Sequence, residues 1–225
     1  MRTLTELANE EGTDKGTERG AAHGYTRLYE RHLAHVREKK IRLLEVGIYR
    51  GDSHRMWRRY FPNAEIFGID NESQEKIPEM PAVRCWSGNQ AAEGFVKRFL
   101  AESGGHFDVV IDDGGHKADE TVRTFQLLFP AVKPGGMYVI EDLHCSYHPE
   151  WGGGYMKAGT PIEMVKRMVD GLHHRLHGWR CGGGTNVDLH GLTFSVPEYE
   201  PSYADLHVAG LHVYEKIAFI EKGDA

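Results

Sequence analysis

LLEVGIYRGDS (residues 43–53) runs from an apolar segment into two glycines and a polar pair that can cap a helix. A strand, a glycine turn and a helix in this order are typical of an open α/β sheet, in which ligands lie beyond the carboxyl ends of the strands. The spacing from Glu45 through Gly47 to Gly51 is E-x-G-x-x-x-G, unlike the G-x-G-x-x-G of dinucleotide-binding proteins. Asp70 ends the next apolar run, where a carboxylate can accept hydrogen bonds from both hydroxyls of a ribose. The stretch therefore predicts a nucleoside ligand without a pyrophosphate, although a glycine turn can also serve strand-to-helix packing alone.

Apolar segments of strand length alternate with amphipathic helical segments through the first two thirds of the chain. The strand segments are IRLLEVGI (41–48), AEIFGID (64–70), AVRCWSG (82–88), FDVVIDDG (107–114) and GMYVIEDL (136–143). Such alternation predicts a parallel sheet covered by helices on both faces. AGLHVYEKIAFIEKG (209–223) contains two β-rich runs with almost no connection between them, which predicts an antiparallel pair at the sheet edge.

The length of 225 residues predicts a single domain, residues 1–225, with one sizeable core. Within it we expect residues 1–35 to form an N-terminal cap. The glycine-rich stretch from about 149 to 205 is predicted to be an insertion that covers the acceptor.

Composition bears on partners and location. The net charge of -6, with Lys and Arg scattered along the chain, argues against nucleic acid as a partner. The apolar runs are too short to span a bilayer, and the first residues lack an apolar signal core, so we expect a cytoplasmic protein without membrane contact. The three cysteines form no C-x-x-C pair, which disfavours a zinc knot. A homo-oligomer is compatible with the sequence.

Six segments taken together carry a resemblance to one family. They are GTDKG (12–16), HGYTRLYERHL (23–33), LLEVGIYRGDSHRMWRRYFPNAEIFGID (43–70), IDDGGH (111–116), FPAVKPGGMYVIEDL (129–143) and VYEKIAFIEKG (213–223). The chain resembles the class I S-adenosylmethionine-dependent methyltransferases, and more closely the metal-dependent sugar O-methyltransferases of macrolide antibiotic pathways of the mycinamicin and tylosin type. The resemblance implies a Rossmann-like α/β fold, with a mostly parallel seven-stranded sheet and an antiparallel C-terminal edge strand.

The resemblance also implies S-adenosylmethionine as the cofactor. In this family the glycines of the first loop, here Gly47 and Gly51, bind the methionine part, and the acid matching Asp70 binds the ribose. Where the family commonly carries an acid near the adenine, this chain has Asn89, which must act through its amide. The remaining candidates for the cofactor site are Thr13, Glu45, Ser53, Gln90 and Asp112.

Two acidic pairs, Asp112–Asp113 and Glu141–Asp142, each follow a predicted strand. The two strands should be neighbours, about 4.8 Å apart, so four carboxylates meet at one rim of the sheet. Like charges this close repel one another unless a cation lies between them. Oxygen ligands favour Mg²⁺, with Mn²⁺ as an alternative, over zinc. We therefore predict a cation site, for which the resemblance gives Asp113, Glu141 and Asp142 as ligands; solvated strand ends and helix caps are the simpler alternative.

His116 lies at the start of the helical pattern after Asp113. The chain has 14 histidines, and a single histidine is often a cap or a packing residue. A hydroxyl beside a divalent cation has a lowered pKa, and an imidazole, with an ordinary pKa of about 6.5, can take its proton at neutral pH. Because the family's proposed base matches this position, we predict that His116 is the general base. Trp151, Tyr155 and Trp179 are candidates for contact with the glycosidic acceptor.

Four functions remain as hypotheses. The first is Mg²⁺-assisted methylation of a sugar hydroxyl on a glycosylated natural product in antibiotic biosynthesis. The second keeps the cofactor and the metal but takes a catechol or another small phenol as acceptor. The third is a metal-dependent hydrolase, which leaves the glycine loop and Asp70 unexplained. The fourth is a non-catalytic nucleoside-binding module, which leaves the acidic pairs and His116 unexplained.

Overall fold

The computed structural model describes residues 1–18, 22–173 and 201–224, together with the backbone of two short strands beyond them. Its helices are α1 (Leu4–Glu11), α2 (Thr26–Leu33), α3 (Asp52–Tyr60), α4 (Glu93–Ser103), α5 (Ala118–Leu128), α6 (Pro161–Gly171) and α7 (Tyr203–His207). Its strands are β1 (Arg42–Val46), β2 (Glu65–Asp70), β3 (Val83–Ser87), β4 (Phe107–Asp112), β5 (Val132–Ile140), β6 (Thr185–Val187), β7 (Thr193–Ser195), β8 (Val208–Tyr214) and β9 (Ile217–Lys222). Among the described helices, none has the length and apolar character needed to cross a bilayer.

The central sheet has seven strands in the order β3-β2-β1-β4-β5-β9-β8. Strands β1 to β5 pair in parallel, whereas β9 pairs antiparallel with both β5 and β8. The predicted fold, with its mostly parallel seven-stranded sheet, is therefore confirmed. One detail is finer than predicted: the antiparallel strand β9 lies inside the edge strand β8. The reason is burial, because Ile217 to Ile220 are fully buried while most of β8 remains partly exposed.

Helices cover both faces of the sheet, as predicted. On one face, α4, α5 and α6 contribute Phe99, Phe125 and Val165 to a core with the sheet. On the other face, α1, α2 and α3 contribute Leu4, Tyr29 and Trp57 to a second core. The N-terminal helices are thus one of the layers that bury the sheet.

The part of the predicted insertion that the structure describes is well anchored. In α6, Val165 and Met168 are buried in the same core as Phe125 and Leu128 of α5. Apolar residues repeating along one face of this helix explain its packing. Trp179 lies outside the described residues.

The register of the central strands places the candidate residues. Val46 pairs with Asp112, and Asp112 pairs with Ile140, so β1, β4 and β5 end side by side. The residues that follow these three ends, Gly47, Asp113 and Glu141, therefore lie at one rim of the sheet.

Candidate cofactor and metal site

The glycine loop after β1 approaches the end of β4 closely. Gly47 has φ 94°, and a Cβ added there would lie 2.0 Å from the main-chain oxygen of Asp113. A Cβ added at Gly114 would lie 1.9 Å from Oε1 of Gln90. Gly51 caps the N-terminus of α3 with φ 74°. Side chains at Gly47 and Gly114 would clash with these neighbouring groups, so glycine at both positions allows the loops beyond the strand ends to pack closely together.

A cavity of about 580 Å³ occupies this position. Its volume lies within the range of about 300–1,000 Å³ that is typical of small-molecule sites. Seven residues predicted for the site line it: Thr13, Gly47, Ser53, Asp70, Gln90, Asp113 and His116. The cavity therefore joins the predicted cofactor residues to one predicted metal ligand and to the predicted base.

Asp70 closes the loop from the end of β2. Its Oδ2 accepts hydrogen bonds from the backbone N–H groups of Ile48 (2.7 Å) and Tyr49 (3.0 Å), and its Oδ1 accepts one from Glu72 (3.0 Å). Burial acts to raise the pKa of Asp70, but these backbone donors outweigh it, and the pKa is lowered. A carboxylate kept ionised at the cavity wall can accept hydrogen bonds from a ligand's hydroxyl groups.

Glu45 was predicted to contact the cofactor, but the structure places it behind the cavity wall. Its side chain is fully buried and accepts hydrogen bonds from Ser53 Oγ (2.8 Å) and Trp57 Nε1 (3.1 Å). Nδ1 of His54 lies 3.0 Å from the same carboxylate. Burial lowers the pKa of His54. Through Oε2, Glu45 fixes the helix that carries Ser53, and the residue does not line the cavity.

Gln90 and Asp112 form a buried pair below the cavity. Nε2 of Gln90 donates to Oδ1 of Asp112 (3.1 Å) and to Oγ1 of Thr124 (3.0 Å). Burial raises the pKa of Asp112 to about 7. Asn89 is exposed, and its Oδ1 accepts from the N–H of Ala91 (2.7 Å), so it shapes the turn before α4. Of the predicted pair Asn89 and Gln90, only Gln90 lines the cavity.

Asp113, His116 and Asp142 form a cluster that could hold a cation. Each offers a ligand atom, and these atoms lie within 4.8 Å of one another. Nε2 of His116 is 3.9 Å from Oδ1 of Asp113 and 3.6 Å from Oδ2 of Asp142. His116 (φ 54°) and Asp142 (φ 52°) both adopt the left-handed conformation, which is unusual outside glycine. Such backbone strain is often retained at functional sites.

Glu141, predicted as a third metal ligand, is oriented differently. Its side chain is 2% exposed. Oε2 accepts from Lys15 Nζ at 2.8 Å, and Oε1 accepts from Tyr29 Oη. Strand β5 ends at Ile140 and the backbone turns into the left-handed conformation at Asp142, so Glu141 faces inward whereas Asp142 faces the cluster. The structure thus brings Asp113 and Asp142 together with His116 and places Glu141 behind them.

Sequence reasoning missed three residues around these acids: Lys15, Tyr25 and Tyr29. Nζ of Lys15, whose side chain is 1% exposed, lies 2.5 Å from Asp113 Oδ2 and 3.3 Å from Glu45 Oε1. Burial acts to lower the pKa of Lys15, but the surrounding carboxylates raise it well above its ordinary value. Tyr25 Oη donates to Asp142 Oδ1 at 2.7 Å. GTDKG and HGYTRLYERHL contain these residues, but no local pattern in either segment distinguishes them from its other polar residues.

Comparison with known proteins agrees with this geometry. Residues 44–143 match a family described as "Methyltransferase domain". The chain is 35% identical over 230 residues to mycinamicin VI 2''-O-methyltransferase of Micromonospora griseorubida, covering 98% of this chain and 52% of the relative. It is 37% identical over 231 residues to 8-demethyl-8-(2-methoxy-alpha-L-rhamnosyl)-tetracenomycin-C 3'-O-methyltransferase of Streptomyces olivaceus, covering 98% of this chain and 54% of the relative.

A solved structure is similar over nearly the whole chain. It is the MycE methyltransferase of the mycinamycin biosynthetic pathway in complex with Mg, SAH and mycinamycin VI. The TM-score is 0.82 at 34% identity, with 99% of this chain and 54% of that chain covered. The chain spans about half the length of the relatives it matches.

Proposed function

We propose that this chain, whose residues 44–143 match the methyltransferase-domain family, is an S-adenosylmethionine-dependent O-methyltransferase assisted by Mg²⁺. Its acceptor is a sugar hydroxyl of a glycosylated natural product in antibiotic biosynthesis. One observation carries the proposal: Asp113 and His116 belong both to the lining of the cavity and to the cation cluster. A methyl donor in the cavity and a cation at the cluster would therefore adjoin the same imidazole.

The residues present fit the cofactor. Gly47 and Gly114 line the cavity and allow its loops to pack closely, and Asp70 supplies a carboxylate at the cavity wall for ribose hydroxyls. Thr13 and Ser53 line the same cavity and add hydroxyl groups. We assign the cofactor to these five residues and to Gln90.

The residues present also fit a hard divalent cation. Asp113 and Asp142 offer carboxylate oxygens, which Mg²⁺ prefers and Mn²⁺ accepts. Because Mg²⁺ binds oxygen in preference to nitrogen, His116 remains free to act as a base beside these ligands. Glu141 stays a predicted ligand, and that role would require its carboxylate to turn from Tyr29 toward the cluster.

When bound, the cofactor supplies a methyl group on a cationic sulfur, and the cation lowers the pKa of a hydroxyl near it. His116 takes the proton from that hydroxyl at Nε2. The carboxylate of Asp142, 3.6 Å from this nitrogen, stabilises the imidazolium that forms. The loop from Gly47 and the carboxylate of Asp70 orient the donor, which is the main requirement for transfer from a reactive cation.

We further propose that residues 149 to 205 cover the acceptor. The ring of Trp151 packs edge-on against His116, with 5.8 Å between centroids, so this segment adjoins the predicted base. Tyr155 is 84% exposed and therefore available for contact with a sugar face. The single domain over residues 1–225, the cap formed by residues 1–35, the cytoplasmic location and a homo-oligomer stay predictions from the sequence.

The proposal is tested by incubating the protein with methyl-labelled S-adenosylmethionine, Mg²⁺ and a panel of acceptors. We expect label to enter glycosylated macrolides or tetracenomycins that lack one O-methyl group. The matching aglycones, which have no sugar hydroxyl, are the controls and should stay unlabelled. Labelling of catechols in place of the glycosides would support the phenol alternative and contradict the sugar acceptor.

Replacing Asp70 with alanine should weaken the binding of S-adenosylhomocysteine by about 1.5 to 3 kcal/mol, the range for hydrogen bonds to a charged group. This corresponds to a rise in Kd of about 10- to 150-fold. Titration calorimetry measures the change, and the melting temperature checks that the loop survives without its acceptor. Glu75→Gln, which alters an exposed acid of the loop after β2, is the control. Unchanged affinity in a folded Asp70→Ala protein would contradict the ribose assignment.

A further inference from the structure

The segment before β1 supplies hydrogen-bond donors to the acids at the sheet rim. We call residues 12–18 and 22–33 the N-terminal segment. It carries Lys15, Tyr25 and Tyr29, whose side chains are almost completely buried. A buried ammonium or phenol is costly unless it is hydrogen-bonded. Here the partners are the candidate metal ligands, so the burial of this segment depends on the same carboxylates as the cation site.

The pattern of these contacts is selective for one oxygen of each aspartate. Asp113 receives Lys15 at Oδ2, and its Oδ1 faces His116. Asp142 receives Tyr25 at Oδ1, and its Oδ2 faces His116. In both aspartates one oxygen is held by the N-terminal segment and the other points into the cluster. The donors therefore fix the side-chain rotation that presents the second oxygen to a cation.

Backbone hydrogen bonds and ring packing hold the N-terminal segment in place. Its two halves are joined by backbone hydrogen bonds from His23 to Asp14 (2.7 Å), from Gly24 to Gly16 (2.9 Å) and from Thr26 to Lys15 (3.2 Å). Tyr29 packs edge-on against Trp57 and Phe219, with centroid distances of 4.9 and 5.3 Å. Lys15 and Tyr25 thus lie in a loop that backbone hydrogen bonds hold together, and Tyr29 lies in a helix that packs into the core.

Lys15 also links the strands of the sheet. Its ammonium contacts three carboxylates. Glu45 lies in β1, whereas Asp113 directly follows β4 and Glu141 directly follows β5. These three strands are adjacent in the sheet, so the Lys15 ammonium contacts one carboxylate from each of them. A single positive charge offsets part of the repulsion among the acids and leaves a net negative charge for a divalent ion.

We infer that the N-terminal segment completes the cation site, with Lys15 and Tyr25 as positioning residues that hold Asp113 and Asp142 for Mg²⁺. The inference rests on the proposed function, because it concerns the same cation. It extends that function to residues outside the matched domain, residues 44–143. Removal of a hydrogen-bond partner from a metal ligand typically lowers metal affinity by about 10- to 100-fold.

The test measures Mn²⁺ binding by electron paramagnetic resonance in the presence of S-adenosylhomocysteine. Tyr25→Phe removes only the hydroxyl that holds Asp142, and we expect a 10- to 100-fold weaker Mn²⁺ affinity. The matched control is Tyr60→Phe, because Tyr60 is equally buried (1% exposed) but lies in α3 against Arg37. S-adenosylhomocysteine affinity without metal should be the same in both variants, which separates positioning of the ligands from a general loss of structure.

The outcomes are distinguishable. If wild-type protein binds Mn²⁺ and Tyr25→Phe binds it as tightly as Tyr60→Phe, the positioning role is refuted and the proposed function stands. If wild-type protein binds no Mn²⁺, the cation site of the proposed function is refuted and the inference with it. Should Tyr25→Phe not fold, Lys15→Gln tests the same role through Asp113. A weaker Mn²⁺ affinity there, despite the loss of a positive charge, supports the inference, and an unchanged or tighter affinity overturns it.

Discussion

Removal of divalent cations with EDTA should abolish methyl transfer, while S-adenosylhomocysteine still binds with nearly unchanged affinity. The cofactor contacts proposed at Gly47 and Asp70 lie in the loop after β1 and at the end of β2, whereas the cation ligands Asp113 and Asp142 follow β4 and β5. Without the cation, the hydroxyl of a sugar keeps its high pKa, and a neutral imidazole is too weak a base to remove its proton. Added Mg²⁺ or Mn²⁺ should restore the activity. The rate of label transfer and the calorimetric affinity are the two measurements.

A paired substitution separates affinity for the cation from chemistry. Asp113→Asn keeps an oxygen for the Lys15 ammonium but removes a negative charge, so we expect activity that is low at limiting Mg²⁺ and largely recovered at excess Mg²⁺. Asp119→Asn, at an exposed position in the first turn of α5, is the control and should show no change in Mg²⁺ dependence. Full activity in metal-free protein would contradict the cation assignment outright.

The parallel part of the fold could be predicted because its signal is local. IRLLEVGI and FDVVIDDG contain the strands Arg42–Val46 and Phe107–Asp112, each a short apolar run that a sheet covered on both faces requires. The place of β9 inside β8 could not be derived from local pattern. It depends on the comparison of two neighbouring β-rich runs, of which the more apolar one takes the inner position.

The same distinction holds at the site. Asp113 and His116 could be placed at the rim because they directly follow a strand whose neighbours were predicted. The direction of each side chain was harder to predict: Glu45 and Glu141 lie at strand ends but face inward. Lys15 contacts Asp113, 98 residues away in the sequence, and Glu141, 126 residues away. Contacts between residues so far apart produce no local sequence pattern.

The sequence therefore did not reveal every charge that reduces the repulsion among these acids. Buried carboxylates repel one another, and burial raises the pKa of both Asp113 and Glu141. The sequence showed this conflict, and the cation was predicted to resolve it. The structure adds a resident positive charge, the Lys15 ammonium, as part of the same resolution. A divalent ion then has to offset only the remaining charge.

Replacing His116 with alanine should lower kcat by about 10²- to 10⁴-fold, the usual contribution of a general base. Its imidazole lines the cavity, faces Asp113 and Asp142 through Nε2, and is 24% exposed, so it can pass the proton on to solvent. Loss of the base should also change the pH profile, because hydroxide then has to take its place and the rate rises with pH. His35→Ala, at an exposed position after α2, is the control.

Mn²⁺ binding to the His116→Ala protein decides between the two roles that the geometry allows for this side chain. A hard cation held by the oxygens of Asp113 and Asp142 should bind nearly as tightly without the imidazole, because nitrogen is not its preferred ligand. We therefore expect a large loss of kcat with the Mn²⁺ affinity retained. A parallel loss of Mn²⁺ affinity would make His116 a metal ligand and leave the reaction without its proposed base. A variant with wild-type kcat and an unchanged pH profile would show that another group takes the acceptor's proton.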